Sequence, residues 1–147
     1  MFTLTKQVRK KYQPNYNQVK HWIKLAVQAD YQTVGIDIVI VSEADSQQYN
    51  HHYRNRDYPT NVISLEYGES RDNYSMLVGE IILCDKIIAA EALNQDKEII
   101  AHYAHMIIHG VLHLQGYDHQ KSKDALKMET LEVEIMHKLG FPNPYLE

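Results

Sequence analysis

The chain has 147 residues, 44% of them hydrophobic, which is enough for one compact core and a single domain spanning residues 1–147. A net charge of -4 argues against wholesale attraction to nucleic acid, and no apolar stretch is long enough to span a bilayer. The lone cysteine, Cys84, excludes an intramolecular disulfide, and Met1-Phe2-Thr3-Leu4-Thr5-Lys6 lacks the apolar run of a signal peptide, so a cytoplasmic protein is expected.

Residues 2–9 alternate loosely and read as an edge strand. A helix is predicted from Pro14 to Asp30, with Val19, Trp22, Ile23, Ala26 and Val27 at helical spacing. Residues 1–24 hold Lys6, Arg9, Lys10, Lys11, Lys20 and Lys24 with no acid, while the rest of the chain holds 9 basic and 19 acidic residues. That asymmetry allows a basic patch on an acidic molecule, although charge alone equally fits a solvated surface. The β-branched run Gly35–Val41 reads as a strand, and Ser42 caps a helix to about Tyr53 with Glu43 and Asp45 in its first turn.

Two further strands are predicted over Asn61–Tyr67 and Leu77–Cys84, joined by a polar loop with Gly68, Asp72 and Asn73. The second is strongly apolar and reads as central, with Cys84 a small buried side chain at its end. Asp85 begins a helix to about Asn94, and Asp96 is expected to begin the next, which is the longer. A last helix over Ser122–Leu139 offers Leu126, Met128, Leu131, Ile135 and Leu139 for burial before Gly140 and Pro142 stop it. Strands early and helices late predict an α+β fold, one mixed sheet packed by helices.

The helix after Asp96 carries the chemistry. Ile99, Ile100, Tyr103, Met106, Ile107, Val111 and Leu114 form a core-facing arc, and Glu98, His102, His105, His109 and His113 form a stripe along its border. Gly110 interrupts the buried arc at about 1 kcal/mol relative to alanine, which suggests close approach by another element. His109 and His113 lie one turn apart on one face, and Gly116 can adopt the left-handed conformation that folds His119 back toward them. A lone helical histidine is usually a partly buried polar group, and a pair arises easily by chance among nine histidines. A third at this offset, beyond a turn glycine, is much harder to obtain by accident. His109, His113 and His119 are therefore read as the ligands of one zinc ion, with a fourth position open for chemistry.

The spacing H-x-x-x-H-x-x-G-x-x-H is that of metzincin proteases, but those enzymes place a glutamate directly after the first histidine as general base. Here Gly110 occupies that position and has no side chain to move a proton. Asp118 is next to a ligand and suits a supporting role as well as a catalytic one. His51 and His52 read as surface residues, His21 and His137 as isolated, and His102 and His105 as groups that tune or orient the site.

The stretch Ala104-His105-Met106-Ile107-Ile108-His109-Gly110-Val111-Leu112-His113-Leu114-Gln115-Gly116-Tyr117-Asp118-His119 resembles the signature of the YbeY family of bacterial endoribonucleases, also called rRNA maturation factors. Tyr53-Arg54-Asn55-Arg56-Asp57-Tyr58-Pro59-Thr60-Asn61-Val62-Ile63-Ser64 is similar to a second block of that family, and Val78-Gly79-Glu80-Ile81 to a third. The resemblance covers most of the chain. It implies a zinc-dependent endoribonuclease that cleaves single-stranded RNA, acting in ribosomal RNA maturation at the small-subunit 3′ end and in ribosome quality control. It also implies ribosomal or small-subunit protein partners, with no role for membrane or DNA. The family's functional arginine matches Arg54, which by itself reads more simply as a structural ion pair, for instance with Asp57. Leu65, Glu80 and Gln115 depart from the residues usual in the family, namely Phe, Asp and Leu.

On this reading Arg54 grips the scissile phosphate, water activated at the zinc ion is the nucleophile, and the general base is unassigned. Thr60 and Ser64 can bond locally or meet RNA backbone, and Tyr12, Tyr16, Tyr58 and Tyr117 can stack bases. Two other readings stay open from the residues: a metal-dependent hydrolase of peptides or small molecules, and a ribosome-assembly factor with a largely structural zinc.

Overall fold

A computed structural model describes residues 2–67, 76–118 and 122–146. Its elements are β1 (Phe2–Lys6), α1 (Tyr16–Ala26), β2 (Thr33–Val41), α2 (Glu43–Arg54), β3 (Val62–Glu66), β4 (Met76–Cys84), α3 (Asp85–Asn94), α4 (Ile99–Leu114) and α5 (Ser122–Lys138). The four strands form one mixed sheet in the order β1-β2-β4-β3, parallel except for β3, which runs antiparallel to β4. Its register sets Leu4 beside Ile38 and Ile38 beside Ile81. The fold is α+β, as the chain order of strands and helices predicts.

The two central strands are buried on both faces, which explains their near-continuous apolar sequences. Ile36, Ile38 and Ile40 of β2, with Leu77, Ile81 and Leu83 of β4, face the main core. That core is completed by Trp22 and Ile23 of α1, Ile88 of α3, Tyr103 and Ile107 of α4, and Met128 and Ile135 of α5. Alternation turns Val39, Val41 and Ile82 to the other face, where they join Ile63 beneath Tyr49 of α2 and Leu65 of β3. Cys84 is fully buried at the end of β4, as expected.

Several boundaries differ from the sequence reading for local reasons. The first strand ends at Lys6, short of the predicted span. Helix α1 starts after Pro14 because Asn15 and Gln18 cap each other's backbone N–H. It ends at Ala26 because the Gln115 side chain donates to the Ala26 carbonyl at 2.8 Å and accepts the Gln28 N–H at 2.7 Å. Asp96 closes α3 instead of opening α4: its φ is 56°, and Lys97 N–H returns to the Ala92 carbonyl. Leu126, expected to be buried, is 68% exposed on the outer side of α5. The polar loop with Gly68, Asp72 and Asn73 lies outside the described residues. Among the described residues, no helix is long and apolar enough to cross a membrane.

Candidate functional site

Helix α4 lies against the sheet at Gly110. A Cβ there would sit 3.1 Å from Ile81 of β4 and 3.2 Å from Ser64 Oγ of β3, which is the close approach anticipated for this glycine. The Ser64 hydroxyl donates to the Gly110 carbonyl at 3.2 Å and fixes the crossing point. His109 and His113 flank that contact, their ring centroids 6.1 Å apart. Gly116, with φ of 96°, ends the helix while Gly116 and Tyr117 return their N–H groups to His113 and Leu112. The chain thus turns back directly after His113. His119, the third expected ligand, lies outside the described residues.

His109 and His113 open into a cleft of about 630 Å³, whose other polar walls include Arg54, Thr60, Asn61 and Ser64. Arg54 is the last residue of α2, and Asn55 leaves the helix in the left-handed conformation with φ of 55°. The segment beyond is pinned back on α2: the Asn50 amide donates to the Tyr58 carbonyl at 2.8 Å, and Ser46 Oγ bonds Thr60 through both its backbone groups. Asp57 accepts from Gln47, and among the described residues Arg54 makes no ion pair. Its exposed guanidinium is held on the cleft wall by backbone placement alone.

The histidine stripe does not run along the border as the helical wheel predicts. His102 and His105 are only 4% and 6% exposed, buried beneath neighbouring elements, whereas His109 and His113 are half-buried at the cleft. His102 Nε2 meets Glu91 of α3 at 2.9 Å, and Asn61 Nδ2 donates to the same carboxylate. The hydrogen bond from His102 is the main cause holding the Glu91 carboxyl below its usual range, against its partial burial. His105 Nε2 meets Oε2 of Glu132 at 2.5 Å, and His109 Nδ1 meets the same oxygen at 3.2 Å. Burial keeps the His105 ring neutral despite the carboxylate beside it. Burial also pushes the Glu132 carboxyl up, but bonds from the two imidazoles outweigh it and keep the group ionised.

These contacts bear on the metal reading. His105, His109 and Glu132 offer ligand atoms within 4.8 Å of one another, a group that could hold a metal ion. A second donor pair, His109 and His113, sits one helical turn apart on the wall of the open cleft. The donor chemistry suits a divalent metal ion: imidazole nitrogens, one ring backed by a buried carboxylate on its other nitrogen.

A family model described as Endoribonuclease YbeY matches residues 3–140. The chain belongs to the endoribonuclease YbeY family. An Endoribonuclease YbeY of Burkholderia cenocepacia (strain HI2424) is 43% identical over 143 residues, covering 97% of this chain and 80% of that protein. One of Burkholderia pseudomallei (strain 1710b) is 41% identical over 133 residues, covering 90% of this chain and 70% of that protein. In fold the chain is similar to the solution structure of TM1509 from Thermotoga maritima, with a TM-score of 0.57, 21% identity and full coverage of both chains.

The three departures from the usual YbeY pattern have distinct settings. Gln115 ties α4 to the end of α1 through its amide. Leu65 packs on the smaller core cluster and lines the cleft. Glu80 lies beside Asp37 in the sheet, where burial and that neighbouring charge raise its carboxyl above the usual range. His21, His51, His52 and His137 are exposed. Glu132 and Tyr145, which touch the site, were missed in the sequence. Glu132 carried a signal: it falls in the apolar stripe of Met128, Leu131, Ile135 and Leu139, where a carboxylate needs a buried partner.

Proposed function

We propose that the chain is a single-domain, zinc-dependent endoribonuclease of single-stranded RNA, acting in the cytoplasm on ribosomal RNA. Small-subunit 3′-end maturation and ribosome quality control are its setting, with ribosomal proteins as partners. The observation that carries this reading is one cleft that gathers Arg54 from α2 with His109 and His113 from α4. The family name adds the reaction, cleavage inside an RNA chain.

His109, His113 and His119 would hold the ion. When bound, zinc supplies Lewis-acid chemistry, lowering the pKa of a water or polarising a phosphoryl oxygen. Arg54 presents a planar fork of N–H donors that grips two non-bridging phosphate oxygens and offsets charge as it grows in the transition state. Asn61 and Ser64 commit their side chains, and Thr60 its backbone, to the protein, so they shape the wall and steer the strand past Arg54. Tyr53, 54% exposed beside Arg54, offers a ring face for an unpaired base.

The test compares wild type, His113→Ala and Arg54→Ala, purified identically, for RNA cleavage and bound metal. Arg54→Ala should keep its zinc and lose about 10²–10³-fold in cleavage. Loss of zinc in that variant would make Arg54 structural. Casein hydrolysis without RNA cleavage would favour a peptidase, and zinc that tracks thermal stability but not cleavage would favour an assembly factor.

A further inference from the structure

Glu132 has no solvent exposure, yet it stands 3.2 Å from a cleft histidine. Each of its oxygens is occupied. Oε2 receives His105 Nε2 at 2.5 Å and His109 Nδ1 at 3.2 Å, and Oε1 accepts the Tyr145 hydroxyl at 2.8 Å. An ionised carboxylate only accepts, so every ring nitrogen facing it must carry a proton. His105 is thereby held with its proton on Nε2, and His109 with its proton on Nδ1. A proton on Nδ1 of a neutral imidazole puts the lone pair on Nε2.

We propose that Glu132 is the positioning residue of the metal centre, fixing the tautomer and rotation of His109 so that Nε2 is the ligand atom. Tyr145 and His105 are the supports that stop the carboxylate from turning away. The inference rests on the proposed role of His109 as a ligand and adds what prepares it. Direct ligation by Glu132 is disfavoured by the same geometry. An ion between His105, His109 and Glu132 would have to displace two N–H donors from an oxygen sealed from solvent. Tyr145 also lines the cleft, so the segment after α5 reaches the site from behind and from the side.

The experiment uses zinc alone as probe on wild type, Glu132→Gln and Tyr145→Phe. Long-range proton–nitrogen NMR of the zinc-free proteins reads the His109 tautomer, and chelator competition reads zinc affinity. Wild type should have the Nδ1–H form of His109. Glu132→Gln should lose that preference and weaken zinc binding by about 10–100-fold, as expected of an outer partner of a metal ligand. Tyr145→Phe, which leaves the carboxylate in place, should weaken it measurably, by about three- to tenfold, with the tautomer retained.

An Nε2–H His109 in the zinc-free wild type would overturn the proposal. So would undiminished zinc affinity in Glu132→Gln, or, should that variant not fold, in Tyr145→Phe. A shift of the His105 nitrogen resonances to metal-bound values on adding zinc would make Glu132 and His105 ligands, which also overturns it. Tight zinc binding by a wild type that leaves RNA intact would sink the nuclease reading and leave this one standing.

Discussion

The two halves of α4 carry the same side chain in the same stripe and use it differently. In the first half, His102 and His105 are buried, each with Nε2 against a carboxylate from another helix. In the second half, His109 and His113 reach a cleft with an arginine on its far wall. Each pair lies about one helical turn apart, three residues for His102 and His105 and four for His109 and His113, so the difference comes from what packs over the helix. Glu91 of α3 and Glu132 of α5 close over the first half, whereas β3 touches the second at Gly110 and leaves beside it a cleft that the end of α2 also lines. Burial turns His102 and His105 into structural partners of a carboxylate, whereas partial exposure leaves His109 and His113 facing the cleft as the proposed ligands. Tertiary context, not residue type, assigns the chemistry.

This contrast is sharpest under substitution. His113→Ala should remove bound zinc and lower RNA cleavage by more than about 100-fold, the upper end for a mere supporting partner. Its thermal melt, taken without metal, should change little. His102→Ala should behave in the opposite way. Loss of a buried ring and of its bond to Glu91 should cost about 2–3 kcal/mol in urea unfolding, with zinc affinity within about threefold of wild type. Comparable loss of zinc in both variants would erase the distinction between the halves.

Acid titration of the metal-free protein separates the same regions more gently. His105 has its folded pKa depressed by burial from 6.5, so the unfolded chain binds that proton more readily. Its stabilisation is complete above about pH 6.5 and is lost as pH falls below that value. Glu91 is depressed from 4.5 by the hydrogen bond from His102, so its contribution persists above 4.5 and disappears at lower pH. Urea midpoints should therefore decline in two stages on acidification, each no steeper than about 1.4 kcal/mol per pH unit per group. Stability that rises as pH falls from 6.5 to 5 would contradict the His105 assignment, and stability that holds flat below 4.5 would contradict that of Glu91. The smallest effect is expected outside the site: Leu126→Ser, at a position 68% exposed, should shift stability by less than about 0.5 kcal/mol.

Sequence was most informative where one element sets its own pattern. The β-branched strand β2, the cap at Ser42 and the turn at Gly116 depend on neighbours within a few residues, and each is found as expected. Legibility failed where a distant group intervenes. The wheel of α4 correctly placed His102 and His105 on one stripe, but only α3 and α5 decide that this part is buried. Asp96 looked like a cap for α4 because aspartate favours that position, yet it takes the left-handed conformation that closes α3. Arg54 could be matched to a family block, but its entry into the cleft depends on Ser46 and Asn50 holding the following segment. Glu132 lies far along the chain from His109, so no local spacing could join them.

The strand order also sets a timetable for synthesis. β2 pairs with β1 on one side and β4 on the other, so its second edge stays bare on the emerging polypeptide until residue 76 and beyond have been translated. Such an edge, apolar and unpaired, is a target for chaperones or for mispairing with neighbouring nascent chains. The imidazoles follow only after the last strand is made, so cation capture on the translating ribosome would report a sheet already closed.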